Sequence, residues 1–175
     1  GMITVISEII NIHGEKVQLE DDVPEYQELV IATKSMPKKM WRKTRAFCWM
    51  AAFLHFDKIF QIPLIISHTY GDLKYCDVIT AFIDADPVKF PTIASISKLF
   101  IDQAKVIQDG GAEFLYSKNW LGIHWPQDEY AFILLTHENK LGDFYNEATS
   151  LLYELLAIKD SKVPNDLIDE SIELN

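Results

Sequence analysis

The sequence predicts a mainly α-helical domain, a bundle-like packing of five to six helices with a small β-strand or hairpin element at its N-terminus. Three observations lead there. Hydrophobic residues make up 49% of the 175 residues, enough to build a packed core. Gly and Pro number only 7 each, which argues against collagen-like, disordered or turn-rich β-sandwich chains. From residue 35 onward the apolar residues recur mostly at helical rather than alternating spacing.

The first 34 residues are the strand-like part. Ile3, Val5, Ile9, Ile10 and Ile12 are β-branched and partly alternating, although so short a run does not separate strand from helix. His13-Gly14-Glu15-Lys16 reads as a turn and Val17-Gln18-Leu19 as a return strand. Asp21-Asp22-Val23-Pro24 breaks the pattern, and residues 28–33 read as a further short strand. Residues 1–34 are thus set apart as a strand-like N-terminal element, and residues 35–175 as the helical domain.

Ser35 is expected to cap a long helix over residues 36–60, with Pro37 in its first turn. Between Ala46 and Phe56 only His55 is polar, so this section should be covered on nearly all sides and form the central helix. Pro63 ends or kinks it. A second helix is expected after Gly71, with Asp72 as N-cap and Leu73, Cys76, Ile79 and Phe82 as its stripe. A third begins near Pro91, carries Ile93, Ile96, Phe100, Ala104 and Ile107, and ends at Gly110-Gly111. Residues 112–125 read as an aromatic-rich loop. Pro126 opens a fourth helix with Asp128 and Glu129 in the first turn, where the helix dipole favours acids. Gly142 divides it from a fifth, and Pro164 begins a last short one. Its apolar stripe stops at Asn175 without a cap, which suggests that the natural chain continues.

The formal charge is −10, and such an acidic surface repels phosphate backbones, so no nucleic-acid partner is expected. The charge is unevenly placed. Residues 1–33 hold seven acids and one Lys, whereas residues 34–45 hold six bases and no acid. The basic stretch suits a phosphate-bearing ligand or an acidic partner, or else solvates a helix face. The apolar run of residues 46–66 is interrupted by His55, Asp57, Lys58 and Gln61, which reads as a buried element rather than a membrane span. Residues 3–12 are too short and lack the basic leader of a signal peptide, so the expected location is the cytoplasm. Cys48 and Cys76 fit buried free thiols.

Motifs that carry chemistry are scarce. The one Gly pair follows a helix rather than opening one, so no dinucleotide or phosphate-loop pattern forms. No His-x-x-x-His or Cys-x-x-Cys spacing offers a zinc site. Asp84 and Asp86 before Pro87 fit turn chemistry, and no nucleophile elbow occurs. No catalytic or metal-binding residue is assigned. The remaining ligand or docking candidates are Trp41 and Arg42 at the basic helix start, His55 and His68 where the central helix meets the next segment, and the aromatics Tyr70, Trp120 and Trp125. With Trp49 and Tyr116, the tryptophans and Tyr70 could line a pocket for a flat ligand.

One stretch resembles a known family. Glu28-Leu29-Val30-Ile31-Ala32-Thr33-Lys34-Ser35-Met36, then Trp41, Arg45-Ala46-Phe47, Trp49, His55-Phe56-Asp57-Lys58 and Ile62-Pro63-Leu64, resembles the C-terminal helical region of cobalamin-binding radical-SAM proteins. Tyr70-Gly71-Asp72-Leu73, Tyr75 and the element around Trp125-Pro126 look like the same region continued, so the resemblance spans roughly residues 28–160. It implies that S-adenosylmethionine, an iron–sulfur cluster and cobalamin belong to upstream domains of the same polypeptide. Their cluster-binding Cys-x-x-x-Cys-x-x-Cys run is missing here, because Cys48 and Cys76 stand alone, so this chain itself would hold no cofactor. The chain would then be a non-catalytic accessory domain that covers the barrel or shapes its substrate pocket, with residues 1–34 as a linker or a remnant of that barrel. The rival readings are a free-standing helical ligand-binding or interaction module and a small enzyme in its own right.

Overall fold

A computed structural model describes residues 1–15 and 23–175. The expected return strand at Val17-Gln18-Leu19 and the break at Asp21-Asp22 lie outside the described residues. The chain opens with an antiparallel pair, β1 (Ile3–Glu8) and β2 (Tyr26–Ala32). Seven α-helices follow: α1 (Lys38–Ala51), α2 (Gln61–Gly71), α3 (Tyr75–Ile83), α4 (Pro91–Gln108), α5 (Gln127–His137), α6 (Leu141–Ile158) and α7 (Asn165–Glu173). The count exceeds the expected five to six because the long helix divides. The aromatic loop is also more ordered than expected. It holds a second small pair, β3 (Leu115–Ser117) and β4 (Ile123–Trp125).

Phenylalanines dominate the core. Phe53, Phe60, Phe82, Phe100 and Phe144 are all fully buried. The Phe53 ring stands edge-on to Phe144 at 5.4 Å and to Phe100 at 6.5 Å, the geometry that aromatic quadrupoles favour. The first helix is indeed central, packing on α3, α4 and α5.

Its expected continuation to residue 60 does not occur. After Ala51 the backbone widens into a π-helical turn, Ala52–Phe56, which brings the consecutive residues Phe53 and Leu54 both into the core. Lys58 then takes a left-handed conformation (φ 64°) and the chain turns by 94° into α2. The break precedes Pro63, which sits in the first turn of α2, where its missing N–H costs nothing. No single helix among the described residues is long and apolar enough to cross a membrane.

The expected local caps also move. Ser35 does not cap α1; the Thr33 hydroxyl instead accepts the Met36 N–H at 3.0 Å, and α1 starts after Pro37. Asp72 ends α2 as a left-handed C-cap (φ 55°) instead of starting α3. Gly142 does not divide two helices; it is the second residue of α6, and α5 ends five residues earlier. Two helix N-termini are capped from far away in sequence. Glu147 of α6 accepts the Thr92 and Ile93 N–H groups at 3.0 and 2.9 Å. Asn175 Oδ1 accepts the Ile62 N–H at 2.9 Å, while its Nδ2 donates to the carbonyls of Lys58 and Ile59 at 3.0 and 2.7 Å.

Both cysteines are exposed, contrary to expectation. On α1 the inward positions are Ala46, Met50 and Phe53, and Cys48 stands nearly opposite them around the helix. On α3 the buried positions are Val78, Ile79, Phe82 and Ile83, and Cys76 lies in the first turn, ahead of the covered part of the helix.

Asn175 satisfies an amide and two carbonyls where the chain changes direction. Asn175→Ala should therefore cost about 1–2 kcal/mol in urea unfolding and speed amide exchange at residues 58–62. Unchanged stability would show that solvent replaces the cap.

Candidate functional site

The sequence candidates fall into separate groups. On α1, Trp41 and Trp49 clasp the Arg45 guanidinium, whose carbon lies 5.6 and 5.0 Å from the two ring centroids. Arg45 also donates to Glu113 at 3.2 Å, and Gln27 of β2 donates to the other oxygen of Glu113 at 2.9 Å. Trp41 thus belongs to a tie between the hairpin, α1 and the segment after α4. Arg42 is half-buried and has no ion-pair partner among the described residues.

His55 and His68 do come together, through Tyr75 between them. The Tyr75 ring lies 5.9 Å from His55 and 4.5 Å from His68. His68 is fixed by a 2.7 Å bond between Nδ1 and the Leu73 carbonyl. His55, inside the π-helical turn, has an enclosed Nδ1 with no partner. Tyr70, at the end of α2, is exposed.

Trp120 and Trp125 form a third group. Trp125 Nε1 donates to the Trp120 carbonyl at 3.2 Å, and the Trp120 ring packs on Tyr130 at 4.8 Å and His137 at 5.9 Å. The aromatics expected to line one pocket are thus divided between α1 and the β4–α5 corner.

The sequence reading missed a cluster beside this corner. Asp57 follows the π-helical turn, and its Oδ2 is enclosed without a hydrogen-bond partner. Burial pushes its carboxyl up to about 6, and the negative charges of Asp128 and Glu129 in the first turn of α5 add to the rise. Asp128 is raised as well, chiefly by burial, against the lowering effect of backbone N–H groups. Glu129 Oε2 is paired with His13 Nε2 at 2.7 Å, and the His13 ring stands edge-on to Trp125 at 5.3 Å. Chemically, this is a carboxyl that gains and loses a proton near neutral pH, with two further acids in its field. The signal was present as a lone acid inside an apolar run, but its partners lie some seventy residues away. Among the described residues, no three His, Cys, Asp or Glu side chains converge as metal ligands would.

A second feature is a shallow groove of about 630 Å³ on α1, lined by Pro37, Lys39, Met40, Lys43, Thr44 and Phe47.

The Asp57 carboxyl yields a pH prediction. The native state holds this proton up to about pH 6, whereas the unfolded chain releases it near the ordinary 3.8. The native state therefore binds more protons between those values, and stability falls as the pH rises across them. Asp57→Asn should stabilise the protein above pH 6 by about 1 kcal/mol, a figure discounted for the half-exposed group, and should flatten the slope between pH 4 and 6. Urea unfolding at several pH values checks both; a variant no more stable than the parent at neutral pH refutes the assignment.

No family model, curated protein or solved structure matches this chain.

Proposed function

We propose that this is a non-catalytic accessory domain that works by lying against other protein, namely the upstream domains of a larger cytoplasmic enzyme of the cobalamin-dependent radical-SAM type. The observation that carries the docking role is the N-terminal hairpin. Its inner face, with Val5, Ser7, Gln27 and Leu29, is covered or half-covered. Its outer face presents Thr4, Ile6, Glu8, Tyr26, Glu28 and Val30 to solvent, with Ile6 at 56% and Tyr26 at 60% exposure. Only two strands form this sheet among the described residues, so each strand has an open edge. A two-stranded sheet is marginal by itself, and open edges beside apolar side chains invite further pairing. The family resemblance supplies the partner: residues 3–32 would extend or abut the upstream barrel, and the helical part would cover its mouth. S-adenosylmethionine, the cluster and cobalamin would all be held upstream.

A second reading, a free-standing ligand-binding module, is favoured by the unpartnered His55 Nδ1 and Asp57 Oδ2 at the π-helical turn, since such turns recur at functional sites.

Hydrogen–deuterium exchange separates the two readings when the domain alone is compared with the full product of its natural coding frame. Docking predicts a longer product, with an iron–sulfur cluster upstream and strongly raised protection at residues 3–8 and 26–32. Ile6→Lys should change the isolated domain by less than about 0.5 kcal/mol while lowering the melting temperature of the longer chain. A product no larger than this chain, or unchanged hairpin protection, would sink the docking role.

A further inference from the structure

The basic stretch at residues 34–45 is only partly used by the fold. Lys43 holds Asp84 at 2.7 Å and Arg45 holds Glu113 at 3.2 Å. Lys34, Lys38, Lys39 and Arg42 have no ion-pair partner among the described residues. Two lysines of the basic stretch, Lys39 and Lys43, border the groove whose apolar lining is Pro37, Met40 and Phe47. Met40 is 55% exposed although it is a large apolar side chain. Met40, Thr44 and Phe47 follow one another at helical spacing on α1, Met40 and Thr44 exposed and Phe47 half-buried against the core, along a groove about 15 Å long at 1.5 Å per residue from Pro37 to Phe47.

We propose that this groove takes an acidic amphipathic helix of a partner protein, with apolar side chains against Pro37, Met40 and Phe47 and a carboxylate against Lys39, which has no ion-pair partner among the described residues, while Lys43 stays with Asp84. Charge complementarity carries the choice of occupant. The groove length matches roughly three helical turns, a usual reach for helix-in-groove recognition. An anionic membrane fits less well. A flat lipid surface would face the rest of a chain of net charge −10, whereas a helix about 10 Å wide meets the groove alone. The hairpin surface uses other residues, so this inference stands apart from the proposed enzyme family.

The test is fluorescence anisotropy with a labelled peptide of about four helical turns, carrying Leu at positions i, i+3, i+4 and i+7 and Glu on the flanks, against a control with Lys for Glu. The acidic peptide should bind with a Kd on the order of 10–100 µM and weaken severalfold as salt rises. Met40→Glu should weaken it at least tenfold, and Lys39→Glu about threefold with a shallower salt dependence. Both positions are exposed, and circular dichroism checks that the variants remain folded. Equal affinity for the lysine peptide, or no change in either variant, overturns the proposal. So does binding to phosphatidylserine vesicles, or dimerisation, that both substitutions abolish while the peptide stays unbound.

Discussion

The 94° change of direction between α1 and α2 is the constraint on which most of this molecule depends. A straight continuation of α1 would carry Phe60 and Leu64 away from the phenylalanine core. The π-helical turn and the left-handed Lys58 instead fold the chain back, so that Phe53, Leu54, Phe60 and Leu64 all reach one interior. The manoeuvre leaves backbone groups and polar side chains at the bend that no neighbouring residue can satisfy. Tyr145 donates to the Ile59 carbonyl at 2.9 Å, and Asn175 deals with the remainder. The Asp57 oxygen and the His55 nitrogen are left enclosed and unpaired. Structural demand and chemical oddity therefore sit at the same bend.

The helical class and most helix starts were legible in the sequence for simple reasons. Pro91, Pro126 and Pro164 each stand at a helix entrance, where a fixed φ and a missing N–H are tolerated. The apolar stripe of α4 needs no tertiary information. What sequence reasoning mistook were decisions made by distant residues. Ser35 and Asp72 look like N-caps, but the amides at the starts of α2 and α4 are served by Asn175 and Glu147, each more than fifty residues away. The nearly continuous apolar run from Ala46 to Phe56 hid the bend because a π-helical turn has no turn residue to announce it. Cys48 and Cys76 read as buried from their neighbours, yet which part of each helix surface is covered is decided by the elements packed against it.

The candidate site was legible only in pieces. His55, Trp120 and Trp125 were singled out, and each does lie at or beside the bend and the β4–α5 corner. Asp57 escaped because its perturbation comes from burial and from Asp128 and Glu129, which only the fold brings close. The uneven charge was visible, but not that Lys43 and Arg45 would be the members engaged, with Asp84 and Glu113. Two exposed apolar surfaces of different electrostatic character result. The hairpin face is edged with Glu8 and Glu28, and the α1 groove with Lys39 and Lys43.

The long-range cap at the bend also sets the order in which the domain can be completed during synthesis. Ile62 and the side chain that receives its N–H are separated by 113 residues. At about 5–20 residues per second, the ribosome needs roughly 6–20 s to make that intervening chain. Throughout that interval α1 and α2 exist without the group that closes their junction. The nascent domain must therefore spend those seconds with its sharpest corner unlatched.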